Sequence, residues 1–313
     1  MKQFYLNMMM LNSMMILVMI SVLISVAFLT LLERKFLGYI QIRKGPNKLG
    51  LSGLLQPFSD AIKLMMKEYY FINKLNYLIY MISPMFSLML ILMMWMIYPF
   101  WSNYLMMMFS LMYLMCCLSL GVYGMLLSGW SSNSSYSMLG SLRSLAQSIS
   151  YEVSLSIIII IPMLMVDSMN FINLKNFSIN NWLIIYMWPL AMMFLFSIMA
   201  ELNRTPFDFS EGESELVSGF NVEYMSSGFI LLFLSEYASI LFLSFLFNLI
   251  FLSVNNFNLM FFMKMMMLVI LIIWIRGSLP RFRYDLLMYF CWLMILPFSL
   301  NYLFYMIFFK ILI

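Results

Sequence analysis

FILLFLSEYASILFLSFLFNLIFLSV occupies residues 229–254, and Glu236 is the one charged side chain in it. As a helix, a run of this length is about 39 Å long, more than the roughly 30 Å hydrocarbon core of a bilayer. It is apolar on every face, so it cannot lie on the surface of a soluble globule. The stretch reads as a membrane-spanning helix with one carboxyl placed where water is scarce.

The rest of the chain follows the same pattern. It has 313 residues, 64% hydrophobic and 10% charged, with a mean hydropathy of +0.95. An average soluble domain is about half apolar and about a quarter charged. Seven further stretches are apolar enough to span: Met8–Leu32, Tyr77–Phe100, Tyr104–Leu127, Ile149–Met165, Trp182–Met199, Leu259–Ile275 and Leu286–Phe309. The expected fold is therefore all-α, a polytopic membrane protein of about eight transmembrane helices forming a single membrane domain over 1–313. The short connections Trp101-Ser102-Asn103 and Asn255–Asn258 make antiparallel hairpins of spans two and three and of spans six and seven. The first run has no small-residue cleavage site and is read as a retained helix. No internal repeat is visible.

The charges are distributed unevenly. Of the 17 basic residues, 13 fall in the odd-numbered loops, eight of them between Arg34 and Lys74. By the positive-inside rule these loops face the negative compartment, cytoplasm or matrix. The first such loop, 33–76, contains RKGPNKLG (43–50), a Gly-Pro-Asn turn, and then QPFSDAIKLMMKE (56–68). In the second segment Phe58, Ile62, Met65 and Met66 share one helical face, while Asp60, Lys63 and Lys67 point elsewhere. That spacing predicts a short amphipathic helix at the membrane surface.

Several functions are excluded. The three cysteines, Cys116, Cys117 and Cys291, come with no histidine anywhere. Four-Cys iron–sulfur or zinc ligation is impossible within this chain, and no metal site is expected. No GxGxxG or GxxxxGK[ST] motif supports nucleotide binding. Methionine occurs 38 times and reads as adaptable apolar filler instead of a metal ladder.

The acids carry the chemistry. AELNRTPFDFSEGESELVSGFNVEY (200–224) holds six of thirteen: Glu201, Asp208, Glu211, Glu213, Glu215 and Glu223. Glu152, Glu201 and Glu236 lie inside spans or at their ends. An ionised group at mid-bilayer costs on the order of 3 kcal/mol or more, so it is either paired or works as a proton carrier. The bland alternative is local pairing, Glu201 with Arg204 or Asp285 with Arg281. Three such acids beside a carboxylate-rich loop, 200–228, favour a water-lined, proton-accessible path. The loop's interleaved Phe207, Phe209, Phe220 and Tyr224 suggest the mouth of a cavity.

Six segments make the chain resemble a known family. They are LLERKFLGYIQIRKGPNKLG (31–50), QPFSDAIKLMMKE (56–68), SLRSLAQSISYEVSL (141–155), ELNRTPFDFSEGESELVSGFNVEY (201–224), SEYASI (235–240) and RGSLPRFRYD (276–285). Over essentially its whole length the chain resembles the subunit 1 family of mitochondrial NADH:ubiquinone oxidoreductase, respiratory complex I, of the invertebrate, arthropod-like type. The resemblance implies a proton-pumping oxidoreductase of the mitochondrial inner membrane, with the odd-numbered loops on the matrix side. It implies ubiquinone as substrate, with NADH, FMN and the iron–sulfur clusters held by partner subunits. The implied partners are peripheral-arm quinone-site subunits, small membrane-arm subunits and the lipid bilayer, with no nucleic acid. Carried over residue by residue, Glu33, Arg34, Asp60, Ala61, Phe233 and Arg276 match positions of the quinone chamber. Glu152, Glu201, Asp208, Glu211, Glu213, Glu215, Glu223 and Glu236 match the proton-coupling carboxylates. Ser137, Ser144, Leu202 and Ser210 depart from the residues usual in that family.

Two other classes stay open on sequence alone. One is a proton or ion transporter subunit without quinone, as in membrane-bound hydrogenases. The other is a structural anchor for a peripheral arm, which leaves Glu152, Glu201 and Glu236 unexplained.

Overall fold

The structure is a computed structural model that describes residues 2–68, 74–98, 107–178, 182–210, 212, 216, 219–252 and 259–312, with side chains from residue 12 onward. Among them the regular elements are helices: α1 Lys2–Ile40, α2 Gln56–Met65, α3 Tyr77–Met94, α4 Ser110–Ser131, α5 Ser135–Val166, α6 Phe171–Ser178, α7 Leu183–Tyr186, α8 Trp188–Glu201, α9 Ser226–Phe251, α10 Leu259–Ser278 and α11 Tyr284–Leu312. Seven described helices are long and apolar enough to cross a membrane, and α8 is a shorter apolar one. The all-α membrane architecture is as expected. The connections 101–103 and 255–258 lie outside the described residues.

The fifth span departs from expectation. It breaks at Met187, and α8 restarts with Pro189 in its first turn. Proline has no N–H for a preceding helical turn but suits the start of a new one, so one apolar run becomes two pieces. The fourth helix departs in the other direction, starting at Ser135 and not near Ile149. Its first half is serine-rich and fails a hydropathy test. Yet Ser141, Ser144, Ser148, Ser150 and Ser154 are buried, and each hydroxyl donates to a carbonyl three or four residues back. Bonded to their own helix, these side chains pack as small near-apolar groups. Arg143 therefore sits on a helix and not in a loop.

α9 is the central element. Every residue from Ile240 to Phe251 is buried, and α9 touches α1, α2, α3, α6, α8 and α10. The opening stretch is apolar all round because protein, not lipid, surrounds much of it. The outward faces of α1, α10 and α11 keep exposed Ile, Leu, Met and Phe side chains, as a lipid-facing surface requires.

α3 carries an internal proline, Pro84. Its missing N–H leaves the Tyr80 carbonyl without a helical donor. The Tyr224 hydroxyl reaches that carbonyl at 3.5 Å and bonds Ser83 Oγ at 2.8 Å. The two tyrosine rings stack at 4.3 Å, and Tyr80 Oη donates to the Glu223 carbonyl at 2.7 Å. A kink in one helix thus anchors the end of the acidic segment. On the α5 side, Gly140 packs against the backbone of Gly219 and Ser210, and a Cβ there would lie 3.1 Å from both.

Candidate functional site

Two cavities lie on either side of α9. The first is a cleft of about 350 Å³ between α1, α2 and α9. Arg34, Asp60, Ala61 and Phe233 line it together with Thr30 and Tyr237. Arg34 and Asp60 form an ion pair across the cleft, and Gln56 Nε2 donates to Asp60 Oδ1 at 2.9 Å. Burial works against the charged carboxylate of Asp60, but the Arg34 and Gln56 hydrogen bonds outweigh it and hold its pKa below the ordinary value.

This contact fixes the way α2 lies. Pro57, Asp60, Ala61 and Leu64 face the cleft, while Phe58, Ile62, Met65 and Met66 are exposed. The amphipathic helix turns its charged acid inward, because a cation on α1 meets it there, and its apolar stripe outward.

Glu33 and Arg276 do not line this cleft. They pair with each other and join α1 to α10. Neighbouring positions on a helix diverge by about 100°, so Glu33 and Arg34 serve different partners. Next to this pair Gly277 packs against the side chains of Leu37 and Ile40 on α1.

The second cavity, about 100 Å³, lies between α3, α4, α8 and α9. Glu201 and Glu236 line it with Asn203, Ser210, Ser235 and Ser239. That volume holds several water molecules, and the lining offers them carboxylates, an amide and hydroxyls. Glu201 Oε2 and Asn203 Oδ1 are buried without a hydrogen-bond partner among the described residues. Glu152, half-buried on α5, is near enough for its charge to act on Glu201.

Arg204 links the two cavities. Its Nη2 lies 3.5 Å from Glu236 Oε2, and its guanidinium stands over the Tyr237 ring at 4.5 Å. Glu236 lines the inner cavity and Tyr237 the outer cleft. Arg204 itself is 7% exposed. One buried cation therefore contacts one residue from each chamber.

The remaining acids are dispersed. Asp208 is buried and paired with Arg281 at 3.3 Å. Glu223 is half-buried at the Tyr80–Tyr224 anchor. Glu211, Glu213 and Glu215 lie outside the described residues. Both local pairings considered from spacing are replaced. Arg204 turns to Glu236 instead of Glu201, and Arg281 to Asp208 instead of Asp285, which sits 3.9 Å from Arg283. Tyr237 and Gln147 escaped the sequence reading, because neither is ionic within a span. Among the described residues no group of three potential metal ligands converges.

Fold and site together define an integral membrane protein of bundled helices, with carboxylates and cations paired between them beside two largely apolar chambers that each hold a few polar groups. Residues 13–307 match the NADH dehydrogenase family. Proteins named NADH-ubiquinone oxidoreductase chain 1 are similar throughout. The one from Anopheles gambiae is 54% identical over 95% of this chain and 94% of its own length. The one from Locusta migratoria is 53% identical over 93% of each. That of Apis mellifera ligustica is 49% identical over 94% of this chain and 96% of its own. The chain belongs to the NADH dehydrogenase family.

Proposed function

We propose that this chain is a core membrane subunit of the proton-pumping NADH:ubiquinone oxidoreductase of the mitochondrial inner membrane. It forms part of the ubiquinone chamber and couples quinone reduction to proton movement. The names of its relatives support the assembly and the reaction. NADH, FMN and the iron–sulfur clusters belong to partner subunits, and the odd-numbered, basic loops face the matrix, towards the peripheral arm.

One observation carries the finer reading: the cleft of Arg34, Asp60, Ala61 and Phe233 and the cavity of Glu201 and Glu236 adjoin across one helix, joined by Arg204. Reducing a quinone to a quinol takes two electrons and two protons. Charge that develops in a low-dielectric cleft acts strongly on ionisable neighbours, because Coulomb energies rise as the effective dielectric falls. Arg204 is placed to feel that charge through the Tyr237 face and to pass it on through its contact with Glu236. Glu201 and Glu152 follow at electrostatic range. Titration then belongs to the group and not to single residues. Glu33 with Arg276 fixes α1 against α10 and so shapes the chamber wall. Asp208 with Arg281, and Glu211, Glu213, Glu215 and Glu223 along the same loop, complete the row of coupling carboxylates.

Photolabelling of inner membranes with an azido-ubiquinone tests this, with labelled peptides identified by mass spectrometry. Label in 28–68 and 229–237, removed by excess ubiquinone, is expected. If membranes still oxidising NADH yield no competable label in this chain, the chamber assignment falls.

A further inference from the structure

Gln147 lies on α5, is fully buried and is uncharged. Its Nε2 donates to the Ala200 carbonyl at 2.8 Å and to the Phe207 carbonyl at 2.9 Å. Only the amide NH₂ can serve two carbonyl oxygens, so its orientation is determined by its partners. Both donors are spent on one segment, and Oε1 is buried without a partner among the described residues. A buried acceptor left unsatisfied is costly, and the two donated bonds hold the amide in this orientation nonetheless.

The two carbonyls bracket residues 200–207. Between them lie Glu201, which lines the inner cavity, Asn203, which does the same with a left-handed φ of 48°, and Arg204, which meets Glu236 and Tyr237. Within the bracket the Phe282 N–H holds the Pro206 carbonyl at 3.0 Å. Asn203 N–H to the Ala200 carbonyl and Phe207 N–H to the Arg204 carbonyl shape the turn locally, and Gln147 ties both of its ends to α5.

We infer that Gln147 is a positioning residue for coupling: it clasps the turn 200–207 and thereby sets Arg204 against Glu236 and Tyr237. It touches neither substrate nor the acids, and acts only through two carbonyls. The inference rests on the reading of Glu201 and Glu236 as coupling carboxylates.

The test uses the whole complex in inner-membrane vesicles, with the subunit expressed as Gln147→Met, a side chain of similar length without donors. Complex content is measured from NADH oxidation by an artificial acceptor. Ubiquinone KM and kcat are then measured per assembled complex, together with proton pumping and a cryo-EM map. The expected result is a kcat about tenfold lower, in line with the cost of small misplacements, with KM within about twofold because the cleft is untouched. In the map the Arg204–Glu236 separation, 3.5 Å in the unmutated chain, should open beyond the roughly 4 Å limit of an ion pair. A merely structural role would lower complex content and leave kcat per complex unchanged. Should Gln147→Met not accumulate, Gln147→Glu, which keeps one donor when protonated, is read in the same way. Glu201→Gln and Glu236→Gln run alongside. If they lose pumping while Gln147→Met keeps wild-type kcat and an unmoved turn, the clasp is overturned and the carboxylate reading stands. If they pump normally, the carboxylate reading is overturned. The Gln147→Met map then decides the clasp, a displaced turn upholding it and an unmoved one overturning it.

Discussion

Replacing Arg204 by Leu removes a cation that contacts one residue of each chamber. The side chain is 8% exposed and its partner Glu236 22% exposed, so the pair is largely withdrawn from water. Removing one partner of a buried pair costs about 3–5 kcal/mol. Here the lower end applies. The separation of 3.5 Å is long beside the 2.7–2.9 Å of a strong charge-assisted bond, and the cavity beside Glu236 has room for water. If about 3 kcal/mol appears at the coupled step, turnover falls roughly 150-fold. The assay is ubiquinone reduction and proton pumping per assembled complex in vesicles, run as a double-mutant cycle. Arg204→Leu with Glu236→Gln should lose far less than the sum of the single losses, because the second change removes the stranded charge. Arg204→Leu with Glu201→Gln should lose close to the sum. Additive losses with Glu236 and coupled losses with Glu201 would refute the pairing and favour the local i, i+3 contact. Pumping within twofold of wild type in Arg204→Leu would refute the bridging role itself.

Asp60→Asn should leave the amount of assembled complex unchanged, since exposed pairs such as Arg34–Asp60 contribute about 1 kcal/mol or less. The folded-state pKa of Asp60 is depressed, so its contribution is fully present above the ordinary aspartate value of about 3.9 and is lost only as pH falls through the acid range. Quinone-analogue binding by wild type and Asp60→Asn should therefore run parallel between pH 6 and 9, and a step present only in wild type would contradict the pairing. Tyr224→Phe removes the 2.8 Å bond to Ser83 and should lower stability by about 1 kcal/mol. Limited proteolysis should then cut 200–228 faster, with NADH oxidation by an artificial acceptor unchanged.

Length and apolar character were enough to recognise a bundle of membrane-spanning helices, seven of which are long enough to cross among the described residues. What hydropathy misjudged were positions where tertiary surroundings reverse a residue's apparent polarity. Ser141 and Ser148 count as polar in a window, yet their hydroxyls bond inside α5 and the helix starts more than a dozen residues early. Pro189 hides in an apolar average but ends one helix and begins another. The acids were visible as types in scarce supply, and Arg34, Asp60, Ala61 and Phe233 do meet in one cleft. Their partners were less legible, because spacing along a chain reports only neighbours on the same helix. Arg204 and Arg281 find carboxylates on other elements. Gln147 carries no charge and gives no periodic signal, and its role emerges only once the ends of a distant turn are seen at its amide.

The burial of α9 bears on how the protein is made. Its partners α1 and α3 are synthesised long before it, and it packs between them with no lipid-facing side over residues 240–251. Helices inserted in chain order must therefore hold apart, or separate again, to admit a latecomer. α3, α4, α5 and α8 already pack on one another in chain order, and what they leave open beside α1 and α3 is the place α9 fills. A nascent chain stopped before residue 226 would leave bare the faces of α1 and α3 that α9 covers in the finished protein.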